Sequence, residues 1–562
     1  MVARAALLLS FSAAVSHALN NGLARTPQMG YNSWYDLMGS ITEDNIRETI
    51  DALVETGLAA AGYKYINIDD DWARRDSTGR IMADPTKWTN GSLQTIAEYA
   101  HSKGLLFGTY TDRGTETCGG RPAAQGHEKE DAAVYASWGV DYLKEDSCHA
   151  PADSKDAFEQ YGRMRDALNA TGRPILFSLC GWNPWYAPVG ASLGNSWRIG
   201  PDDTNWGGVL KNIDINAPLA RYAGPGGWND PCLLLSDTWQ MQQRVSEKQS
   251  RSQFAMWAVM ASPLLISGNI RNMSAYLLKT YLNREAIAVS QDAAGKQGFR
   301  VQGGELAPST SKPPAHTSPC EPGSATQRWA VTADGYLLNN ESGLALNADN
   351  CGAELIYWNG SYAGPTCHGP SGVDRDNMRF SLSASGLLST PMNGECVTES
   401  AAPGSQLALR PCNASDDAQK WMLTVDGWMT SLKSGACLEA NGDASASNVW
   451  ARPLASGSVA AVFLNLASSD VPVTCALACF EAMGFAAGQK LRPRDVWRSA
   501  DLPPFTVPQS DLPAGAWSPD PAGTSDGGSN LIIFAAAPAV AGANERPRVA
   551  RGPHWAHKVS RT

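Results

Sequence analysis

Residues 26–298 predict an α/β fold, a barrel of eight β/α units, on three observations. Short apolar segments alternate with amphipathic helical ones, the run has about the 270-residue length such a barrel needs, and carboxylates recur just after the apolar segments. In chain order, Ile66-Asn67-Ile68 leads into Asp69, Asp70, Asp71 and Trp72, and Leu105 to Tyr110 leads into Asp112. Val140 to Lys144 leads into Asp146, and Pro174 to Leu179 into Cys180 and Trp182. Further strands are expected at Ser196 to Ile199, Gly226 to Asn229 and Leu264 to Ser267. The helix expected from Glu43 to Leu58 places Ile46, Ile50, Leu53 and Val54 on one face, with Ser40 and Glu43 as its candidate capping box.

The whole chain of 562 residues is too long for that barrel alone and implies further domains. Its net charge of −10 argues against nucleic acid or an anionic membrane as the main partner, which would need concentrated positive charge. With 43% hydrophobic and 18% charged residues it can bury real cores. Ala5 to Val15 is an apolar run too short to span a bilayer, followed by Ser16-His17-Ala18, so residues 1–18 read as a signal peptide and the protein as secreted and extracellular. Six sequons, at Asn90, Asn169, Asn272, Asn340, Asn359 and Asn413, and an even 12 Cys fit that compartment.

One carboxylate after one strand can simply cap the next helix. Several around one rim would face a shared polar pocket, where two carboxyls of different pKa can act as nucleophile and proton donor. No metal-ligand set, phosphate loop or Ser/His/Asp elbow stands out, so the rim reads as glycoside hydrolysis without metal or cofactor.

At these residues the chain resembles the α-galactosidase/α-N-acetylgalactosaminidase family, glycoside hydrolase family 27. The matching stretches run in order: Met29-Gly30-Tyr31-Asn32-Ser33-Trp34, Ile68-Asp69-Asp70, Gly108-Thr109-Tyr110, Tyr142-Leu143-Lys144-Glu145-Asp146, the segment Ala223 to Pro231, and Ile287 to Asp292. The resemblance implies a retaining exo-α-galactosidase with Asp146 as nucleophile and Asp202, four residues after Arg198, as acid/base; Asp203 is the minor candidate. It implies that Asp69 and Asp70 accept from the 4- and 6-hydroxyls of galactose, that Lys144 donates to the 3- and 4-oxygens, and that Arg198 holds the 2- and 3-oxygens. Trp34 and Tyr110 would line the apolar side of the sugar. Cys118 and Cys148 fall where the family has a disulfide; Gly39 and Asp71 stand where another would be. Three departures touch the site: Glu145 replaces an aromatic, Gly181 a Glu and Cys232 an Asp. Gly181 keeps α-N-acetylgalactosaminidase as an alternative, and a non-catalytic carbohydrate-binding protein is a second. Cys180 and Cys232 are either paired or two free thiols.

In the family a β-sandwich follows the barrel. Here the pattern begins at 299–304 and resumes only at 448–506. Between them, residues 305–447 carry an internal repeat: Gly335, Gly386 and Gly427; Gly343, Gly394 and Gly435; and Trp329, Phe380 and Trp421 all recur at spacings of 51 and then 41. Gln327-Arg328-Trp329 and Gln419-Lys420-Trp421 make this insert resemble a ricin-type β-trefoil lectin. The repeat is circularly cut, so its ends must meet. Lobe pairing then implies Cys396 with Cys412, Cys351 with Cys367 and, across the cut, Cys320 with Cys437. Where sugar-binding lobes usually have Asp, Asn347, Thr398 and Glu439 stand, so polysaccharide binding and a purely structural module are both open. Cys475 and Cys479 are close enough to bridge, and residues 507–562, rich in Pro, Gly and Ala, read as a disordered tail.

Overall fold

The computed structural model describes residues 21–236, 245–307, 315–318, 320, 327–339, 345–349, 354–358, 376–399, 407–439, 447–511, 516–522 and 524–536. The leader at 1–18, Cys351 with Cys367, Asn340 and Asn359 lie outside these residues.

The strands β1 (Met29–Asn32), β2 (Tyr65–Asn67), β3 (Leu106–Asp112), β4 (Tyr142–Asp146), β5 (Leu176–Leu179), β6 (Ser196–Arg198) and β7 (Trp228–Asp230) pair in parallel in chain order. From the other edge, β8 (Leu234–Leu235) pairs with β9 (Leu264–Ser267), which pairs with β1. β7 and β8 are two ends of one run interrupted at Pro231 and Cys232, where proline cannot donate to the ladder and Cys232 adopts φ +140°. The ring of eight therefore closes through that broken segment. Strands buried on both faces need continuous apolar runs, and Leu264–Ser267 and Leu176–Leu179 are buried at every position.

The first long helix spans Glu43–Glu55 and buries Ile46, Ile50 and Leu53. Its cap differs from the expected Ser40/Glu43 box. The side chain of Thr42 accepts from the Asn45 N–H while Asn45 receives the Thr42 N–H, so the reciprocal pair sits two residues later, with an amide in place of the carboxylate. The helix also stops short of Leu58, because the chain turns at Gly57 with φ +84°.

The C-terminal domain is an antiparallel sheet in the order 299–302, 447–453, 459–465, 528–536, 490–495, 500–501. Alternate residues of the strand Val459–Asn465 face opposite ways: Ala460, Val462 and Leu464 join the barrel's core, while Val459, Ala461 and Phe463 pack with Phe480, Phe534 and Val507. The disordered tail expected at 507–562 does not hold for its described residues, and residues 537–562 lie outside them. Gly528–Ala536 is a nine-residue strand between Val459–Asn465 and Lys490–Asp495, bonded to both, with Leu531, Ile532 and Phe534 fully buried. Cys475 and Cys479 are joined, and Trp517 pairs with Cys475.

The insert folds as three four-stranded sheets. Each lobe bonds to the next through the repeated glycine: Trp329 N–H to Gly427 O at 2.6 Å, Phe380 N–H to Gly335 O at 2.9 Å, and Trp421 N–H to Gly386 O at 2.7 Å. These glycines have φ of +83° to +87°, which explains their strict recurrence. The cut lobe closes by pairing His316–Ser318 with Cys437–Glu439 and by the Cys320–Cys437 bridge; Cys396 is joined to Cys412. The insert is also docked. Its entry is held by Asp214, which pairs with Arg300 and accepts from the N–H groups of Leu306 and Ala307 at 2.8 Å each. Arg221 of the barrel pairs with Glu395 at 2.6 Å and bonds to the Leu409 carbonyl.

Candidate active site

The site lies at the C-terminal ends of the barrel strands, where alternate residues point inward. After β2, one oxygen of Asp69 accepts from Asn32 Nδ2 at 2.7 Å and from Lys144 Nζ at 2.9 Å. Asp70 accepts from the N–H groups of Asp71 and Gly119 at 2.7 Å each, while burial raises its pKa. Trp34 opens a short helix after β1, half-buried, with its N–H on Asn32 Oδ1 at 2.8 Å.

Tyr110 of β3 and Lys144 of β4 are register partners, and the ammonium stands 4.9 Å from the centre of the ring. Tyr110 donates to Asp146 Oδ2 at 3.2 Å, the Ser147 N–H donates to Asp146 Oδ1 at 2.9 Å, and Lys144 Nζ is 3.6 Å from the same carboxylate. Burial pushes Asp146 up to about 6, against the pull of Lys144. Burial also works against the Lys144 cation, but Asp69 ahead of its other neighbours holds its pKa well above the usual value.

Across the mouth, Arg198 at the end of β6 is buried and donates to Asp202 Oδ1 at 2.8 Å, to Gly200 O at 3.2 Å and to Cys180 Sγ at 3.7 Å. Burial opposes the Asp202 charge, yet the Arg198 guanidinium, together with Lys144, holds that carboxyl below the usual range. Asp202 is half-exposed toward the mouth. Asp203 is buried in the core, takes a bond from Gln253 at 3.0 Å, and burial keeps its pKa well above the usual range.

Two groups beside Asp146 were not singled out for a role by sequence reasoning. Asp112, its register partner on β3, is buried and accepts from the N–H groups of Gly114 and Cys148 at 2.7 Å each; burial, and then Asp146, push it up to about 8. Arg113 binds Asp146 O through its N–H at 3.0 Å, Ser147 Oγ at 2.9 Å and Pro151 O at 2.6 Å, so it fixes the loop that follows the carboxylate. Their signal was present, since Asp112 ends a strand of the same barrel and Arg113 follows it directly. Asp112, Cys118, Asp146 and Cys148 bring ligand-type atoms within 4.8 Å of one another, but both sulfurs belong to the Cys118–Cys148 bridge.

Gly39 and Asp71 are neighbours: a Cβ at Gly39 would lie 2.5 Å from Asp71 Oδ2. In place of a bridge, Lys87 Nζ donates to both backbones, at 2.8 and 3.2 Å, and Arg121 pairs with Asp71. Cys180 and Cys232 are free and buried. They follow β5 and β7, with β6 between, so about 9–10 Å of sheet separates their strands, beyond the roughly 7 Å a disulfide tolerates. Both oxygens of Glu145 are buried without a hydrogen-bond partner among the described residues. A Cβ at Gly181 would lie 2.0 Å from the ring of Tyr186, which is itself fully buried and stacked on Trp185. The sequon residues Asn90, Asn169, Asn272 and Asn413 are exposed. In the trefoil, Asn347 accepts from Asn377, Thr398 from Gln419 and Glu439 from Gln327.

Residues 26–292 match the family described as Alpha galactosidase A, 365–460 the Ricin-type beta-trefoil lectin domain and 444–515 the Alpha galactosidase C-terminal beta sandwich domain. An alpha-galactosidase of Oryza sativa subsp. japonica is 46% identical over 292 residues, covering 51% of this chain and 68% of its own. Alpha-galactosidase A of Cellvibrio japonicus (strain Ueda107) is 42% identical over 303 residues, 50% of this chain and 72% of its own. The crystal structure of alpha-galactosidase I from Mortierella vinacea superimposes with a TM-score of 0.61 at 22% identity, covering 92% of this chain and 98% of that one. No helix among the described residues is long and apolar enough to cross a membrane.

Proposed function

Because the chain belongs to the alpha galactosidase A family and is therefore a glycoside hydrolase, we propose that it removes terminal non-reducing α-D-galactose from galacto-oligosaccharides or galactomannan-type polymers, with retention of configuration. The observation that carries this is the shared Lys144, which ties the sugar-binding candidate Asp69 to Asp146 while Arg198 ties Asp202 on the facing rim. In the first step Asp202 protonates the glycosidic oxygen and Asp146 attacks the anomeric carbon. In the second, Asp202 takes a proton from water, which releases galactose from Asp146. A separation of about 5 Å between such carboxyls leaves room for the covalent intermediate and too little for an intervening water. Asp69, Asp70, Lys144 and Arg198 present fixed charged groups to the ring hydroxyls, so a sugar with an equatorial 4-hydroxyl leaves buried groups unpaired.

The closed space at Gly181 favours a 2-hydroxyl over a 2-acetamido group. Shrinking this side chain leaves no pocket, because the Tyr186 ring already occupies the volume. Rates on an aryl α-galactoside and on its 2-acetamido analogue test this, and faster cleavage of the latter would reverse the assignment. Proton NMR of the first product tests retention; β-galactose would sink double displacement. Secretion is part of the same proposal: four disulfides among the described residues belong to an oxidising compartment. The trefoil would add binding to a polymeric substrate.

A further inference from the structure

Below about pH 6 the geometry favours the proton on Asp146 and the charge on Asp202, the reverse of what double displacement needs, which is Asp146 as the anion and Asp202 as the acid. Geometry sets this order. Asp146 is buried, and its cation, Lys144, stands 3.6 Å away and is shared with Asp69 at 2.9 Å. Asp202 is half-exposed and bonded at 2.8 Å to a guanidinium whose other partners, Gly200 O and Cys180 Sγ, are neutral. Burial pushes Asp146 up to about 6, whereas Arg198, with Lys144, holds Asp202 below the ordinary carboxylate range despite partial burial. Around Asp202 the cations are Arg198 and Lys144, the acids Asp146, Asp203 and Asp230, and the weaker acids Cys180, Cys232 and Tyr35. The same Arg198 is the group expected to hold the 2- and 3-oxygens. Its Nε is buried without a partner among the described residues, so the guanidinium has a donor to offer.

We propose that sugar binding moves the site's proton from Asp146 to Asp202: the ring hydroxyls take over the Arg198 guanidinium, and the released carboxylate, covered by the sugar, becomes the acid as Asp146 becomes the anion. The proposal rests on the galactosidase reading of the site. One proton leaves Asp146 and one joins Asp202, so binding is proton-neutral where Asp146 starts protonated. Where Asp146 has already ionised, the proton comes from solvent instead.

Calorimetry of D-galactose binding to the full chain, in buffers of different ionisation heat at about pH 5 and about pH 7, reads the protons taken up. Uptake near zero at the lower pH, rising toward one proton at the higher, is expected. Asp146→Asn should take up close to one proton already at the lower pH, because the internal donor is gone. Asp202→Asn, with its fold checked by circular dichroism, should take up none at the higher pH. Equal uptake by the native protein at both pH values, or uptake unchanged in Asp202→Asn, overturns the relocation. Absence of galactose binding to the folded native protein would instead overturn the galactosidase reading.

Discussion

Replacing Asp146 by Asn keeps the side chain's shape but removes the electron pair that attacks the anomeric carbon, so turnover should fall by at least about a thousandfold, while circular dichroism and galactose binding stay near normal. Activity within tenfold of the native rate would remove Asp146 from the nucleophile's role. Lys144→Met removes the cation that opposes burial at Asp146, so the alkaline limb of kcat/KM, where the site loses its one proton, should move upward from about pH 6. The neighbouring Glu145 concerns stability. Burial raises its folded pKa well above the unfolded value, so both states hold its proton below about pH 4.5, and above that the unfolded state ionises first and stability is lost as pH rises. Glu145→Leu should therefore raise stability by about 1–3 kcal/mol at neutral pH, and the pH-dependent part of that gain should disappear near pH 4; thermal melts at both pH values check it. The sequence showed which carboxylates end the strands, because period and position fix that. It did not show the Arg198–Asp202 pair, which depends on the path of the 199–205 loop.

At the scale of elements, the strand Gly528–Ala536 holds the C-terminal sheet together, bonding to Val459–Asn465 on one side and Lys490–Asp495 on the other. Ending the chain at residue 527 leaves both partners as open edges and uncovers the apolar face that packs on the barrel. The truncated protein should be insoluble or melt about ten degrees or more below the full chain, by differential scanning fluorimetry. A soluble truncation with the native melting temperature would mean that the strand is dispensable. Averaged over a window rich in Pro, Gly and Ala, the short run Leu531 to Phe534 vanished into an apparent tail; barrel strands survived the same reading because helical segments of opposite pattern frame each one. The cap at Thr42 escaped for a different reason, since Asn in the third helical position does the work usually given to Glu or Gln.

Across the whole molecule, the trefoil was legible from three markers sharing one spacing, whereas its docking was not, because Arg221 and Glu395 meet across 174 positions of chain. Arg221 precedes β7, at the end of the barrel opposite the strand termini that carry Asp146 and Asp202, so the contact fixes the module's place without reaching the pocket. Deleting residues 305–447 behind a short linker should keep activity on an aryl α-galactoside within about threefold of native while weakening attack on galactomannan, where a bound module raises local concentration. Loss of the small-substrate activity in a folded deletion would show that the insert supports the pocket, and undiminished polymer attack would mark it as a structural module.

The meeting of the insert's two ends also governs the order in which the chain can assemble. Phe299 pairs with Ala451, and closing a loop of about 150 residues costs about 2 kcal/mol more than closing one of about ten, at roughly 0.6 kcal/mol per doubling. A trefoil that has already closed on itself delivers those residues side by side and removes most of that difference, whereas an unfolded one leaves it in place. Refolding of the second domain should therefore wait for the module spliced into it, and a lesion such as Gly386→Val, forced onto φ +87°, should slow a sheet that contains no part of the altered lobe.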